Sequence, residues 1–138
     1  MPKESKLKFT NPVLETLVFK ENEEYQPSDE EGQSNSINMQ LSISKIDDDT
    51  RLEKLKVAIN EASVPYILEV QMSAKFLLKD VAEEYKKSFL RINAPSLLFS
   101  YIRPLVTSIT RDSKYETVTL PFFDFTSGTI QTKEISEK

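Results

Sequence analysis

The chain has 138 residues, 38% apolar and 29% charged, with a net charge of −4, which suits one globular domain with a core of its own. Its basic residues are interleaved with acids rather than clustered, which argues against nucleic acid as a partner. Histidine and cysteine are absent and only two glycines occur, Gly32 and Gly128. Imidazole acid–base chemistry, Ser-His and Cys-His nucleophiles, imidazole or thiolate metal sites and Gly-rich phosphate loops are thereby excluded. A carboxylate-only enzyme is the one catalytic class left, and the expectation is a protein that is not an enzyme and needs no cofactor. No apolar run approaches the ~20 residues that span a bilayer. The opening Met1-Pro-Lys-Glu-Ser-Lys-Leu-Lys has no apolar stretch behind its charges, so no secretory signal is expected. The absence of cysteine fits a reducing compartment, although many secreted bacterial proteins also lack cysteine, and the expected location is the cytoplasm.

The first strand is expected over Pro12–Lys20, around Leu14-Glu-Thr-Leu-Val-Phe19, on its β-branched and aromatic content. The acidic stretch Glu21–Ser36, broken by Pro27 and Gly32, reads as a long excursion with Tyr25 as its single large apolar side chain. Over Ile37–Ile46, Ile37, Met39, Leu41 and Ile43 alternate with Asn38, Gln40, Ser42 and Ser44, a strand with one apolar face. Asp47-Asp-Asp-Thr50 then reads as a solvated hairpin turn; the alternating ligands and central glycine of a calcium loop are missing. The alternation resumes at Leu55, Val57 and Ile59, and again over Tyr66–Leu78, where Leu68, Val70, Met72, Ala74, Phe76 and Leu78 share a face opposite Glu69, Gln71, Ser73 and Lys75.

After Leu78 the period changes. Val81, Tyr85 and Phe89 recur at helical spacing behind Asp80 as N-cap, predicting a helix to Arg91. Asn93-Ala94-Pro95 is expected to end it and open a second helix striped by Leu98, Ile102, Leu105 and Ile109, with Pro104 as a kink. Tyr115–Phe125 is extended and apolar, and Ser127–Lys138 is a polar tail. The predicted fold is α+β: a four-stranded antiparallel meander followed by two helices, in a single domain over residues 1–126 with a flexible tail over 127–138. Two helices cover one sheet face, which leaves the other to solvent or a partner and favours an oligomer.

The stretch Pro95-Ser-Leu-Leu-Phe-Ser-Tyr-Ile-Arg103 resembles the P-x-x-L-F-P-Y-x-R motif of the SecB family of bacterial export chaperones. The likeness continues through Thr107-Ser108, Tyr115, Leu120-Pro121 and Phe125, and upstream Leu68-Glu-Val-Gln71 is similar to the family's L-x-E-V-Q strand, with Phe76 following. The resemblance implies an ATP-independent holdase, a homotetramer built as a dimer of dimers, that binds unfolded or newly made polypeptide in aromatic-lined grooves. Tyr25, Phe76, Phe99, Tyr101, Tyr115, Phe122 and Phe125 are the candidate polypeptide-binding residues, with one of Phe99 and Tyr101 packing inward.

The sequence departs from the family pattern in four places. Ser100 stands for the motif's second proline, Pro104 for an acid, and Ser113-Lys-Tyr-Glu116 for a Gly-Phe-Pro corner. Leu41-Ser-Ile-Ser44 stands for the family's L-D-L-D, part of the acidic surface that docks the SecA motor, and leaves Glu69 as the candidate motor-docking acid. Two readings stay open: a holdase with many clients, in export or outside it, or a dedicated chaperone or interaction module serving one partner such as an antitoxin.

Overall fold

A computed structural model describes residues 8–27, 37–126 and 130–135. Its sheet contains β1 (Lys8–Phe9), β2 (Val13–Glu21), β3 (Ile37–Asp47), β4 (Thr50–Ile59), β5 (Tyr66–Leu77) and β6 (Gln131–Ile135). The helical layer is α1 (Glu83–Ser88), a π-helical turn over Phe89–Asn93, and α2 (Ala94–Arg111). The class is α+β, as the alternation followed by a helical period predicts.

β3, β4 and β5 form an antiparallel meander because their connections are short: Asp48-Asp49, and the residues from Asn60 to Pro65. The first turn is pinned by Asp49 N–H donating to the Asp47 carboxylate at 2.9 Å. β2 pairs with β5, giving the order β2–β5–β4–β3, and β1 continues it along the same edge. The four expected strands are thus present, with β2 beside β5 rather than next to β3, since a long linker does not force consecutive strands to pair. β2 and β3 lie three strand spacings apart, roughly 14 Å at ~4.8 Å each. Asn22 anchors the chain as it leaves β2, donating from its side chain to Glu61 O and Val64 O, both at 2.9 Å. Residues 28–36 of the excursion fall outside the described residues.

Cross-strand pairing puts Leu41, Ile43, Leu55, Val57, Ile59, Leu68, Val70, Met72, Ala74 and Phe76 on one buried face. α2 lies across β4 and β5 and inserts Leu98, Phe99, Ile102 and Val106 against them. Each aliphatic side chain so buried contributes roughly 1.5–3 kcal/mol relative to exposure.

The helical path differs from the predicted pair. α1 begins after Ala82 with no side-chain cap, so Asp80 is not its N-cap, and Tyr85 is exposed rather than part of a buried stripe. The chain then does not break at Asn93. Pro95 has no N–H for the Arg91 carbonyl, and its ring crowds that oxygen. The preceding turn widens instead, with Ala94 N–H bonding Phe89 O, and helical structure runs on into α2. Pro104 lies inside α2 without ending it.

The segment Tyr115–Phe125 forms no strand; it runs back over α2 with Leu120 and Phe125 in the core. In the stretch expected to be a flexible tail, Gln131–Ile135 adds to the sheet as β6, parallel to β3. A strand can be this polar because backbone bonds hold it, and four of its five side chains face solvent.

Candidate functional site

The two sheet faces are unlike. The face away from the helices is a polar plane, assembled row by row by the register. Gln40, Lys56 and Gln71 make one row, and Ser42, Lys54 and Ser73 the next. Lys133 pairs with Ser42 and so joins the second row from β6. Glu69 stands on this face, 3.7 Å from Lys56. A bulge in β2 between Leu14 and Thr16 turns the Glu15 carboxylate onto it as well. There Ser73 donates at 2.6 Å, Gln71 at 2.9 Å, and Lys54 lies 3.2 Å away. The Ser73 bond is the main reason the Glu15 carboxyl is held below its ordinary range, Gln71 and Lys54 adding to it against the opposing cost of burial. Ser42 and Ser44 add no charge, and Glu69 and Glu15 are each matched by a lysine.

The helical side ends in an apolar ledge. α2 covers β4 and β5 but not the edge strand, so the edge residues on that side stay accessible. Phe9 pairs with Phe76, Leu14 with Met72, Leu17 with Val70 and Phe19 with Leu68, which puts all four on the helix side. Phe9, Leu14 and Leu17 are 40%, 42% and 44% exposed. Phe19 continues the row into a ring cluster, 5.3 Å from Tyr66 and 6.0 Å from Tyr115. At ~3.3 Å per residue the ledge from Phe9 to Phe19 is roughly 30 Å long. Its outer backbone edge has no strand beside it among the described residues.

The sequence-predicted aromatics divide into two groups. Phe76, Phe99 and Phe125, expected among the polypeptide-binding residues, are buried in the core. Phe99 packs 5.3 Å from Phe123 and 5.9 Å from Phe125, joining α2 to the segment that follows it. Tyr101, two residues on, points out, so Phe99 is the inward member of that pair. Tyr25 is exposed beside the anchored start of the excursion, and Tyr115 is half-buried at the end of the ledge. Phe122 is 84% exposed, with the Arg103 guanidinium 4.0 Å over its ring. Arg103 also donates from Nε to Leu120 O at 2.8 Å. The motif's arginine is therefore structural, clipping the post-helix segment to α2.

Sequence reasoning missed the ledge. Leu14 and Leu17 were visible as strand residues, but only the pairing of β2 with β5 shows them uncovered. It also missed Glu53, which follows the parity of Leu55, Val57 and Ile59 and is therefore buried on the apolar face. Burial pushes its carboxyl up to about 9, against the opposing pull of the Arg91 charge, and the charge of Glu134 adds to the rise.

Fold and surface together define an α+β domain with helices on one face of its sheet and accessible apolar side chains along one edge. The sequence matches the family described as preprotein translocase subunit SecB over residues 13–134. The chain belongs to the SecB family, which is a family of chaperones and not of enzymes. The match runs past residue 126 and takes in β6. The protein-export protein SecB of Magnetococcus marinus is 28% identical over 92 residues, 64% of this chain and 59% of that one. That of Jannaschia sp. is 32% identical over 60 residues, 44% of this chain and 35% of that one. The chain thus spans between about a third and three fifths of the length of these curated relatives. Among solved structures, a SecB-like chaperone of Mycobacterium tuberculosis, in complex with a ChAD peptide from the HigA1 antitoxin, superposes with a TM-score of 0.63 at 13% identity, covering 85% of this chain and 90% of that one. A protein of unknown function from Streptococcus agalactiae gives a TM-score of 0.60 at 15% identity, covering 85% and 98%. No helix among the described residues is long and apolar enough to cross a membrane.

Proposed function

We propose that the chain is an ATP-independent holdase that binds unfolded or newly made polypeptide along the ledge of Phe9, Leu14, Leu17, Phe19 and Tyr115. The observation that carries this reading is the exposed apolar row on an edge strand whose outer side has no strand beside it among the described residues. Apolar burial at ~25 cal/mol per Å² demands no particular sequence. An open edge accepts any extended main chain. Tyr25, Tyr101 and Phe122 are further client contacts on this reading, which holds the protein to be a cytoplasmic homo-oligomer.

The test is the double variant Leu14→Ser/Leu17→Ser, titrated with a panel of chemically unfolded proteins. Client affinity is expected to fall by about tenfold or more, since contacts of this kind cost ~1 kcal/mol or more apiece. Thermal stability should change little, because both side chains are already accessible. Unchanged affinity for every client would end the proposal.

The second reading is a dedicated chaperone for one partner. It draws on the antitoxin peptide bound by the mycobacterial SecB-like chaperone and on the lysine-matched acids of the open face. The same panel separates the two, since a dedicated chaperone would hold one client or none.

A further inference from the structure

β6 is a short edge strand: five residues, parallel to β3, with nothing beyond it among the described residues. Parallel pairing is the weaker ladder per residue. Arg91 Nη2 ties it to the helical layer through Glu134 Oε1 at 2.8 Å, and Gln40 Nε2 donates to Gln131 Oε1 at 3.3 Å. The Arg91 and Glu134 side chains are 37% and 60% exposed, so the pair is open to solvent mainly on the strand side.

Beneath this tie lies an unmatched pair of groups. Glu53 is 0% exposed, between Ile43 of β3 and Ala74 of β5. Neither of its carboxyl oxygens has a hydrogen-bond partner among the described residues, and Arg91 Nε is likewise buried without one among them. A buried polar group left unmatched is costly, and here two of complementary chemistry sit within each other's field without forming an ion pair. The guanidinium that would satisfy Glu53 is turned to the peripheral strand instead. Beside β6 a cavity of about 650 Å³ has Leu41, Ile92, Phe125 and Ile130 in its lining together with the charged Glu84, Lys87 and Arg91.

We infer that β6 is a displaceable strand: it leaves the β3 edge, Arg91 exchanges Glu134 for Glu53, and an extended polypeptide segment pairs with Gln40–Ser44 in its place. In the exchange Glu53 gives up its proton to solvent and meets Arg91 as a buried ion pair, so that the hydrogen-bonding capacity both groups leave unmet in the docked state is used and offsets part of the cost of losing β6. The occupant has to be polypeptide, because what β6 supplies to β3 is a row of main-chain donors and acceptors. Leu41, Ile92 and Phe125 in the neighbouring cavity would receive the apolar side chains that β6, being polar, does not offer. The identity of the occupant rests on the proposed holdase reading; the displacement does not.

Amide hydrogen exchange on the full chain, with the amides of β4 and β5 as internal reference, tests it at neutral pH. Glu134→Gln should accelerate exchange across Gln131–Ile135 by about tenfold, and Glu53→Gln, which cannot ionise to receive Arg91, should slow it. Adding a reduced, carboxymethylated unfolded protein should expose the β6 amides while those of β3 stay protected. Unchanged β6 exchange in both variants overturns displacement. Client binding that leaves β6 protected overturns replacement by polypeptide and leaves the proposed function standing. If no client binds, the holdase reading fails, replacement falls with it, and the two variants alone decide displacement.

Discussion

Glu53 is the residue whose behaviour departs furthest from its type. A carboxyl free in the unfolded chain titrates near 4.5, whereas in the fold it is pushed up to about 9. Between those values the folded protein holds a proton that the unfolded chain has released. Its stability is therefore intact below about 4.5 and falls as pH rises through about 9, by on the order of 3 kcal/mol between pH 4.5 and 7. Glu53→Leu replaces the carboxyl by a side chain of similar size suited to its apolar neighbours. The variant and the natural protein should have nearly equal urea midpoints at pH 5 and should diverge steadily toward pH 8.5, the variant being the more stable. A difference that did not vary with pH would show that Glu53 is not protonated in the fold.

Among the elements, α2 and the segment after it behave as one unit. Thr110 is buried near the end of α2; its hydroxyl donates to Val106 O at 2.9 Å and accepts from Val118 N–H at 2.8 Å. Arg103 makes the second clip, through Leu120 O, and Phe99 the third, through Phe123 and Phe125. The segment needs no strand partner because side chains of the helix satisfy it. Thr110→Val keeps the shape and removes the acceptor, leaving the Val118 N–H unmatched. The expected cost is about 1–3 kcal/mol, read in urea melts, with faster proteolysis of residues 113–126. Thr110→Ser should restore most of it.

For the protein as a body, charge and exposed surface decide what it can meet. The open face presents Lys54, Lys56 and Lys133 beside Glu15 and Glu69, and its serines stand where the family's acids are expected. Each missing acidic contact at a partly exposed interface is worth on the order of 1 kcal/mol, so two amount to about thirtyfold in affinity. Titration with the host's SecA-type motor should give a correspondingly weak complex. A tight one abolished by Glu69→Lys would show that the remaining acid suffices. Assembly is the second expectation for the intact protein. The accessible rings of Tyr101 and Phe122 and the solvent-facing sheet plane favour an oligomer, with sedimentation at micromolar concentration expected to report a tetramer and monomer alone counting against it.

Strands β3, β4 and β5, the single apolar face and the α+β class could all be read from the order of residues, because a period of two in side-chain direction is a local property of the chain. Family membership was legible too, through Pro95, Leu98, Phe99, Tyr101 and Arg103. The pairing of β2 with β5 was not, since a long connection leaves the choice of neighbour to packing. That choice is what leaves Leu14 and Leu17 uncovered and makes the ledge. The same holds for the aromatics: composition shows a surplus of rings, but whether Phe76, Phe99 and Phe125 are core and Phe122 surface depends on where α2 lies across the sheet. The β6 strand was illegible because its bonds are main-chain bonds to β3, on which side-chain pattern has no bearing. Glu53 could have been found by parity with Leu55; its lack of a partner could not, because Arg91 and Glu134 meet above it only once the helical layer and the last strand are in place.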